Sequence, residues 1–394
     1  MIAIPWYFAR QTQMGLFGLF FIVVSILSIF WSPYSGTLID LYNRKVIFLV
    51  INIVSGIGIV GVSILGFYLG GLSGIIVGSV FCLTALNYNI HYPNMYAFVQ
   101  EITEPAHFGR VTSYLEIQNQ TSSVVAGAFA ALLLEGAQIS FGEFIWIINP
   151  WPIHKIFLAD GLTYFVSFFL LAKMSYQAIR PRIIERGSLV QRLKIGINYL
   201  RDRRDIFMFG LFSYSIFVTV LICTFFLFAT YVNNHLETGG HIYALSEITY
   251  AVGAIISGFL IRRIFRQVSI PKAIIVMTLM MTVGYAVLFL SKSVVLFILI
   301  TCILGLTNAG SRILRVIYLF RAIPNEVFGR TMSVFYIAHT IFRIFFLTLF
   351  SLAFFTKGQG IIYACLILAI FLLISGLILL YLYSNFDLKK VKDS

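Results

Sequence analysis

Charged side chains are scarce in this sequence. Asp, Glu, Lys and Arg make up 11% of its 394 residues, against roughly 25% in soluble domains. A water-soluble fold of this length would not cover its surface with so few charges. The residues that are plentiful are hydrophobic, 60% of the total, and the mean hydropathy is +0.94. Composition therefore excludes a soluble globular protein and predicts a chain that has lipid as its solvent.

Cysteine is also scarce, and no pair of cysteines has the spacing of a metal site. The four, all inside apolar stretches, are Cys82, Cys223, Cys302 and Cys365. The sequence also lacks an HExxH motif, a GxSxG motif and paired carboxylates, which a membrane-embedded enzyme would need in some form. We therefore expect no metal, no cofactor and no enzymatic activity.

Long apolar runs dominate what is present. A helix that crosses the hydrocarbon core needs about 20 mostly apolar residues, and eleven segments meet this requirement. They are residues 16–36, 46–69, 72–98, 111–134, 156–174, 206–232, 242–262, 271–290, 294–320, 332–355 and 361–383. The predicted fold class is all-α, with about 11 transmembrane helices.

The positive charge is unevenly distributed between these segments. A net charge of +13 can indicate a nucleic-acid partner, but here 21 of the 28 Lys and Arg fall in alternate loops, on one side of a membrane. The positive-inside rule makes that side cytoplasmic. We therefore expect no nucleic acid, a cytoplasmic C-terminus and a multi-pass protein of the inner or plasma membrane.

The longest polar segment, residues 175–205, divides the spans into two groups. It has apolar residues at helical spacing with basic residues between them, which predicts an amphipathic helix on the cytoplasmic membrane surface. The apolar positions are Leu189, Leu193, Ile197 and Leu200. Residues 1–174 are predicted to form an N-terminal bundle of five spans, and residues 206–394 a C-terminal bundle of six spans with a short basic tail.

The two groups contain a repeated motif. Residues 108–114 read FGRVTSY and residues 328–334 read FGRTMSV, an offset of 220, and each opens an apolar span. Cys82 and Cys302 have the same offset. Two halves related by a parallel repeat are typical of one group of secondary transporters. If the halves match, residues 1–15 represent only the end of a further helix.

The segment GTLIDLYNRK resembles the signature of the major facilitator superfamily between its second and third helices. The matching residues are Gly36, Asp40, Arg44 and Lys45. The resemblance implies a fold of two pseudo-symmetric bundles with 12 spans as the norm, so the first span is expected to be missing here. It also implies a cytoplasmic gate, in which Gly36 permits close helix contact and Asp40 accepts hydrogen bonds from a helix N-terminus or from the other half.

Within that superfamily, the chain resembles the macrolide-efflux and enterobactin-exporter branch. This resemblance is carried by both FGR segments, by SLVQRLKIGINYLRDRRD and by FLADGLTYFVSFFL with Asp160. Two residues depart from the superfamily. The fourth helix often carries a membrane-embedded Arg linked to proton coupling, where this chain has about Thr84, and Gly127 lacks the Pro that often follows it.

Polar residues inside the spans are candidates for a substrate or proton cavity, because ionisable side chains are costly in lipid. They recur at helical spacing within single spans. The candidates are Asn87, His91, Glu116, Asn119, Gln120, Asn308, Arg312, His339 and Arg343. The competing interpretation is that they are hydrogen-bonding contacts between helices. Arg315 is placed near the cytoplasmic end, where it would extend to the surface.

These features together predict a secondary transporter that works by alternating access. The resemblance favours a monomeric, proton-coupled exporter of a small amphipathic organic molecule, such as a drug, a macrolide or a siderophore-like compound. Two alternatives stay open at this point. One is an importer of an organic solute, and the other is a non-transporting membrane sensor or assembly protein.

Overall fold

The structure is a computed structural model that describes residues 3–103, 108–141, 144–175, 189–264 and 268–383. Within these ranges some side chains lie outside the description, including those of Asp40, Glu116 and Gln120. The chain clusters into two compact units. Unit 1 comprises Met1–Ser122 with Ala128–Arg186, and unit 2 comprises Ser123–Gly127 with Gly187–Ser394.

The helices of the first part of the chain are α1 (Ala3–Arg10), α2 (Met14–Leu41), α3 (Arg44–Leu69), α4 (Gly74–Ile102), α5 (Phe108–Glu135) and α6 (Ile153–Lys173). They have short connections except between α5 and α6, where a β-hairpin intervenes. The boundaries follow local chemistry. The side chain of Asn43 accepts hydrogen bonds from the backbone N–H groups of Lys45 and Val46 and so caps α3. Gly70, with φ of +70°, ends the same helix.

The second part begins with the linker helix and continues with the spans. Its helices are α7 (Leu189–Asp202), α8 (Arg204–Ser213), α9 (Ser215–Ile222), α10 (Phe228–Thr230), α11 (Gly240–Ile264), α12 (Ile270–Leu290), α13 (Val294–Ala322), α14 (Asn325–Phe350), α15 (Ala353–Thr356) and α16 (Ile361–Tyr381). A short 3₁₀ turn, Gly358–Gly360, precedes α16.

The helix from 204 to 235 is interrupted by two π-helical turns. They are Cys223–Leu227 and Tyr231–His235, and they flank α10. The segment still counts as one span, because the helical hydrogen bonding continues through both turns. The sequence pattern did not reveal these turns, since a π turn leaves no distinct apolar spacing over so short a stretch.

Ten helices in the described part of the chain are long and apolar enough to cross a membrane. The eleventh predicted span coincides with α5, which has 28 residues but whose apolar stretch is the shorter Val125–Leu134. The prediction of an all-α polytopic membrane protein is confirmed. The repeated motifs at residues 108 and 328 lie in the first turns of α5 and α14, as expected.

The loop between α5 and α6 contains a small β-hairpin that was not predicted from the sequence. Strand β1 (Ala137–Phe141) pairs antiparallel with β2 (Phe144–Ile148), with Ile139 opposite Trp146. Strand β2, FIWII, consists of aromatic and β-branched residues, whereas β1, AQISF, has only Ile139 and Phe141 of these types. This weak pattern in β1 explains why the hairpin was not recognised from the sequence.

Glycines set the closest helix contacts in unit 2. A Cβ atom added to Gly253 of α11 would lie 1.9 Å from the backbone oxygen of Cys302, and one added to Gly305 of α13 would lie 1.8 Å from that of Tyr250. The backbones of α11 and α13 therefore touch at two reciprocal points. Small residues at crossing points are the usual device for packing helices in lipid, where apolar burial gives little driving force.

An ion pair connects two loops of unit 2 at the predicted outer side. Lys292 Nζ donates to Glu237 Oε1 at 2.7 Å. This hydrogen bond and the charge of Lys292 hold the pKa of the Glu237 carboxyl below its usual value. The pair joins the loop before α11 to the loop before α13. Both side chains are more than half exposed, so solvent screens the interaction.

Candidate functional site

The turn between α2 and α3 carries the predicted gating residues. Arg44 Nη1 donates to the backbone oxygen of Ala97 and lies 3.4 Å from Glu101 Oε2. The Glu101 side chain is only 2% exposed. In return, Asn94, on the same helix α4, donates from Nδ2 to the backbone oxygen of Arg44 at 2.9 Å. Arg44 is thus bound to the last two turns of α4.

Lys45, the next residue, binds a different helix. Its Nζ donates to the backbone oxygens of Ala172 and Met174 at 2.9 and 2.8 Å. These carbonyls belong to the end of α6, where a helix has no internal donors left and its dipole attracts a cation. The adjacent residues Arg44 and Lys45 therefore bind two different helices, Arg44 near the end of α4 and Lys45 at the C-terminal end of α6, and both contacts lie inside unit 1.

Two expectations about this turn stay predictions. A Cβ added to Gly36 would have no described heavy atom within 4 Å, so the described residues make no close helix contact at this position. The side chain of Asp40 lies outside the described residues, so its role in a gate stays a prediction.

A polar cavity of about 260 Å³ lies between α3, α4 and α6 in unit 1. Its lining residues are Asn52, Asn87, Tyr88, His91, Tyr92, Thr163, Tyr164 and Ser167. Asn87 Nδ2 donates to Ser55 Oγ at 2.5 Å, and Asn52 Nδ2 donates to Ser167 Oγ at 3.3 Å. The two predicted residues Asn87 and His91 thus share one cavity.

His91 is surrounded mainly by rings. Its imidazole packs edge-on against Phe48 at 5.3 Å and near Tyr92 at 5.8 Å between centroids. Within the described part of the chain, no hydrogen bond is formed by its ring nitrogens. Asn94, which shares its helix face in the sequence, does not join the cavity, because its amide is bound to Arg44.

Unit 2 contains a buried cluster of cations and aromatic rings, which we call the basic cluster: Arg315, Arg343, His339, Tyr214 and Tyr336. Arg315 is 2% exposed. Its guanidinium lies 3.7 Å from the centroid of the Tyr214 ring, and its Nη1 donates to the backbone oxygen of Ser213 at 2.8 Å. A cation over a tyrosine face is stabilised by the ring quadrupole.

His339 connects the two arginines of the basic cluster. Its ring stacks on Tyr214 at 5.0 Å and meets Tyr336 edge-on at 5.2 Å. Its Nδ1 and the Nε of Arg315 are buried and make no hydrogen bond within the described residues. Arg343, one turn further along α14, is next to His339 and interacts with Tyr336. The predicted pair His339 and Arg343 therefore belongs to one cluster.

The remaining candidates are more dispersed. Asn308 Nδ2 donates to the hydroxyl of Tyr250 at 2.6 Å, which links α13 to α11. Arg312 is partly buried on α13, and Asn119 is partly buried on α5. The side chains of Glu116 and Gln120 lie outside the described residues. No group of three or more metal-binding side chains occurs in the described ranges.

Sequence reasoning placed Arg315 wrongly and missed its partners. We expected Arg315 to extend to the surface, yet the structure buries it against Tyr214, at the start of α9. Tyr214 and Tyr336 gave no signal, because tyrosine is common in this chain and suits both lipid interfaces and cores. A tyrosine opposite a buried arginine is recognisable only after the helices are packed.

Fold and sites together define the class of protein: a polytopic α-helical membrane protein with polar sites buried within its helical units. The model of the Major Facilitator Superfamily matches residues 1–347. The chain belongs to this superfamily, which the Gly36–Lys45 segment had indicated.

One similar sequence is described as a transporter of the same superfamily, and several solved structures share the fold. Over 151 residues, the chain is 28% identical to the uncharacterized MFS-type transporter YvqJ of Bacillus subtilis (strain 168), a match that spans 37% of this chain and 35% of YvqJ. Among solved structures, the nucleoside transporter NupG has a TM-score of 0.71 at 10% identity, covering 97% of this chain and 95% of that one.

A D-xylose-proton symporter has a TM-score of 0.69 at 13% identity, with 93% of this chain and 87% of that chain covered. At such identities the likeness concerns the fold alone. The structures do not distinguish the macrolide-efflux and enterobactin-exporter branch from others, so that branch stays a resemblance.

Proposed function

We propose that this protein is a secondary active transporter that exports a small amphipathic organic anion by alternating access, coupled to protons. Membership of the superfamily supports transport of a small solute across a membrane. The observation that carries the substrate class is the basic cluster of unit 2, where Arg315 is buried with an aromatic ring and a backbone oxygen as its described partners.

A buried guanidinium normally needs a compensating negative charge, because desolvation of a lone cation is costly. Tyr214 and Ser213 supply only partial compensation through a ring face and a carbonyl dipole. An anionic group on the substrate would complete it, and the surrounding rings would contact the apolar part of the same molecule. The cluster thus fits a substrate with one negative group and an apolar body.

Proton coupling is proposed on different grounds. It rests on the resemblance to efflux branches alone. Export driven by an inward proton gradient requires that proton binding weaken substrate binding. A proton on His339, which lies between Arg315 and Arg343, would instead strengthen the binding of an anion, so His339 is not proposed as the proton carrier. The export direction rests on the resemblance to efflux branches of the family and on no described contact.

The test uses everted membrane vesicles and two fluorescent amphiphiles of similar size, one anionic and one neutral. For Arg315→Gln and for Arg343→Gln, we expect uptake of the anion to fall by about 10-fold, the usual value of a hydrogen bond to a charged group. Uptake of the neutral compound should change little. Equal loss for both compounds would reject the anion site.

The matched control is Arg321→Gln, which removes a charge from the exposed end of α13, outside the basic cluster. It should transport both compounds normally. A proton ionophore should abolish uptake by the wild type if protons drive export. Uptake only in right-side-out vesicles would instead identify an importer, and no uptake in either orientation would favour a sensor or assembly protein.

A further inference from the structure

A groove of about 660 Å³ lies in unit 2 between the linker helix α7 and the helices α8 and α14. Its volume is in the range of small-molecule sites, about 300–1,000 Å³. The walls are almost entirely apolar and include Leu193, Ile197, Met208, Val334 and Ile341. The groove is separate from the basic cluster and from the polar cavity of unit 1.

The helix α7 is held firmly as one wall of this groove. A Cβ added to Gly196 would lie 2.5 Å from the backbone oxygen of Arg330, so α7 and the start of α14 touch. The hydroxyl of Tyr199 donates to the backbone oxygen of Ala322 at 3.2 Å, which ties α7 to the end of α13. These two contacts fix the position of α7 against α13 and α14, so the groove is part of the folded structure of unit 2.

The apolar walls stay open within the described part of the chain. Ile197 is 52% exposed, Met208 37% and Ile341 57%. Val334 and Ile341 are seven residues apart on one face of α14, so this wall extends about 10 Å along the helix. Since α8 and α14 both belong to candidate membrane spans, this wall of the groove lies along the part of unit 2 that a membrane would contain.

One end of the groove is basic. Arg201, in the last turn of α7, and Arg204, at the start of α8, both line it and both are exposed. Neither side chain makes an ion pair or hydrogen bond with another described residue. Arg203, between them, is different, because Asp205 accepts from its Nε at 3.3 Å and from its Nη2 at 3.1 Å.

We propose that this groove binds one anionic phospholipid, with the phosphate between Arg201 and Arg204 and an acyl chain along α14. The basic end lies where α7 meets the membrane span, the level at which headgroups occur. Basic residues there are attracted to anionic leaflets by about 1 kcal/mol each. The apolar walls continue from that end toward the hydrocarbon core, which matches the polarity of a phospholipid from head to tail.

The test measures binding of phosphatidylglycerol and phosphatidylcholine, with identical acyl chains, to the purified full chain by native mass spectrometry. Wild-type protein should bind one phosphatidylglycerol roughly 30-fold more tightly than phosphatidylcholine, as two basic contacts imply. The double variant Arg201→Gln/Arg204→Gln should lose this preference. The control Lys194→Gln/Arg321→Gln removes two exposed charges of unit 2 outside the groove and should keep it.

A second variant tests the acyl-chain part. Ala338→Phe places a ring in the groove, so it should weaken binding of both lipids while leaving the thermal unfolding temperature near that of the wild type. Equal binding of both lipids by the wild type would overturn the proposal. So would an equal loss of preference in the control double variant, or competition by soluble glycerophosphoglycerol as strong as that by the intact lipid.

Discussion

Arg44 and Lys45 are adjacent, yet they bind two different helices, α4 and α6. Sequence reasoning had placed these basic residues in a cytoplasmic gate. The structure gives them an additional role inside unit 1. Two residues of the signature motif therefore hold α4 and α6 within unit 1, and the gating role of the motif stays a prediction.

The contact between Arg44 and Glu101 provides a test at the residue scale. Arg44→Gln should destabilise the protein by about 2 kcal/mol, because it removes a cation that lies 3.4 Å from the buried Glu101 carboxylate. The double variant Arg44→Gln/Glu101→Gln should recover part of this loss. The free energy of unfolding in detergent, followed by circular dichroism in urea, measures both.

Lys45→Gln is the comparison for that prediction. Its two bonds to carbonyl oxygens are solvent exposed, so the expected loss is below about 1 kcal/mol. If Lys45→Gln and Arg44→Gln were equally destabilising, the burial of Glu101 would not be the cause.

The sequence identified Asn87 with His91 and His339 with Arg343 as candidate groups, because helical spacing brings residues three or four apart onto one face. It could not identify the partners from other helices, such as Tyr214 beside Arg315 or Tyr164 in the unit 1 cavity. Those contacts depend on how helices rotate about their axes, and spacing within one helix contains no information on that.

At the scale of elements, α11 and α13 approach each other closely enough for their backbones to touch. Gly253 and Gly305 each face a backbone oxygen of the opposite helix. The sequence contains many glycines, and the two that permit this approach do not differ from the rest in their immediate neighbours. Only the packed structure shows which glycines are needed for the close approach of α11 and α13.

We predict that Gly253→Ala and Gly305→Ala each destabilise the protein by about 1–3 kcal/mol, because the new methyl group would overlap a backbone oxygen that cannot move aside cheaply. The matched control is Gly258→Ala on the same helix α11, where an added Cβ has no described atom within 4 Å. Thermal unfolding of the three purified variants makes the comparison. A control as unstable as Gly253→Ala would rule out the overlap as the cause.

The linker helix shows how far a periodic pattern can be used. The spacing of Leu189, Leu193, Ile197 and Leu200 predicted α7, and the structure confirms a helix over Leu189–Asp202. The pattern also predicted that its apolar face meets a membrane. Instead part of that face packs in unit 2, where Leu200 is 3% exposed, and part stays open in the groove.

For the whole molecule, composition and charge were enough to predict a many-span membrane protein, because both are sums over the chain and do not depend on contacts. The positions of the spans followed from lengths of apolar runs. Ten of the eleven predicted spans are apolar enough to cross a membrane in the described part of the chain. The exception is α5, because its polar residues reduce its hydropathy below that of the other spans. Orientation in the membrane is still a prediction from the distribution of Lys and Arg.

Cysteine labelling tests that orientation. In a background where the four native cysteines are replaced by serine or alanine, Lys194→Cys and Lys357→Cys introduce single exposed thiols. A membrane-impermeant maleimide added to intact cells should label Lys357→Cys and leave Lys194→Cys unlabelled until the cells are broken. The reverse pattern would place α7 and the C-terminus on the outside.

The two π-helical turns between Cys223 and His235 have a geometric consequence for this helix. Each π turn accommodates one residue more than an α-helical turn, and one residue corresponds to about 100° of rotation. A helical wheel drawn from Arg204 onward is therefore displaced by about 200° when it reaches His235. That displacement directs His235 to Gln359, whose Oε1 lies 2.6 Å from its Nδ1. The span therefore contains two residues more than a regular α-helix of the same length. Converting either π turn to an α-helical turn would rotate the end of the span at His235 by about 100° relative to Arg204.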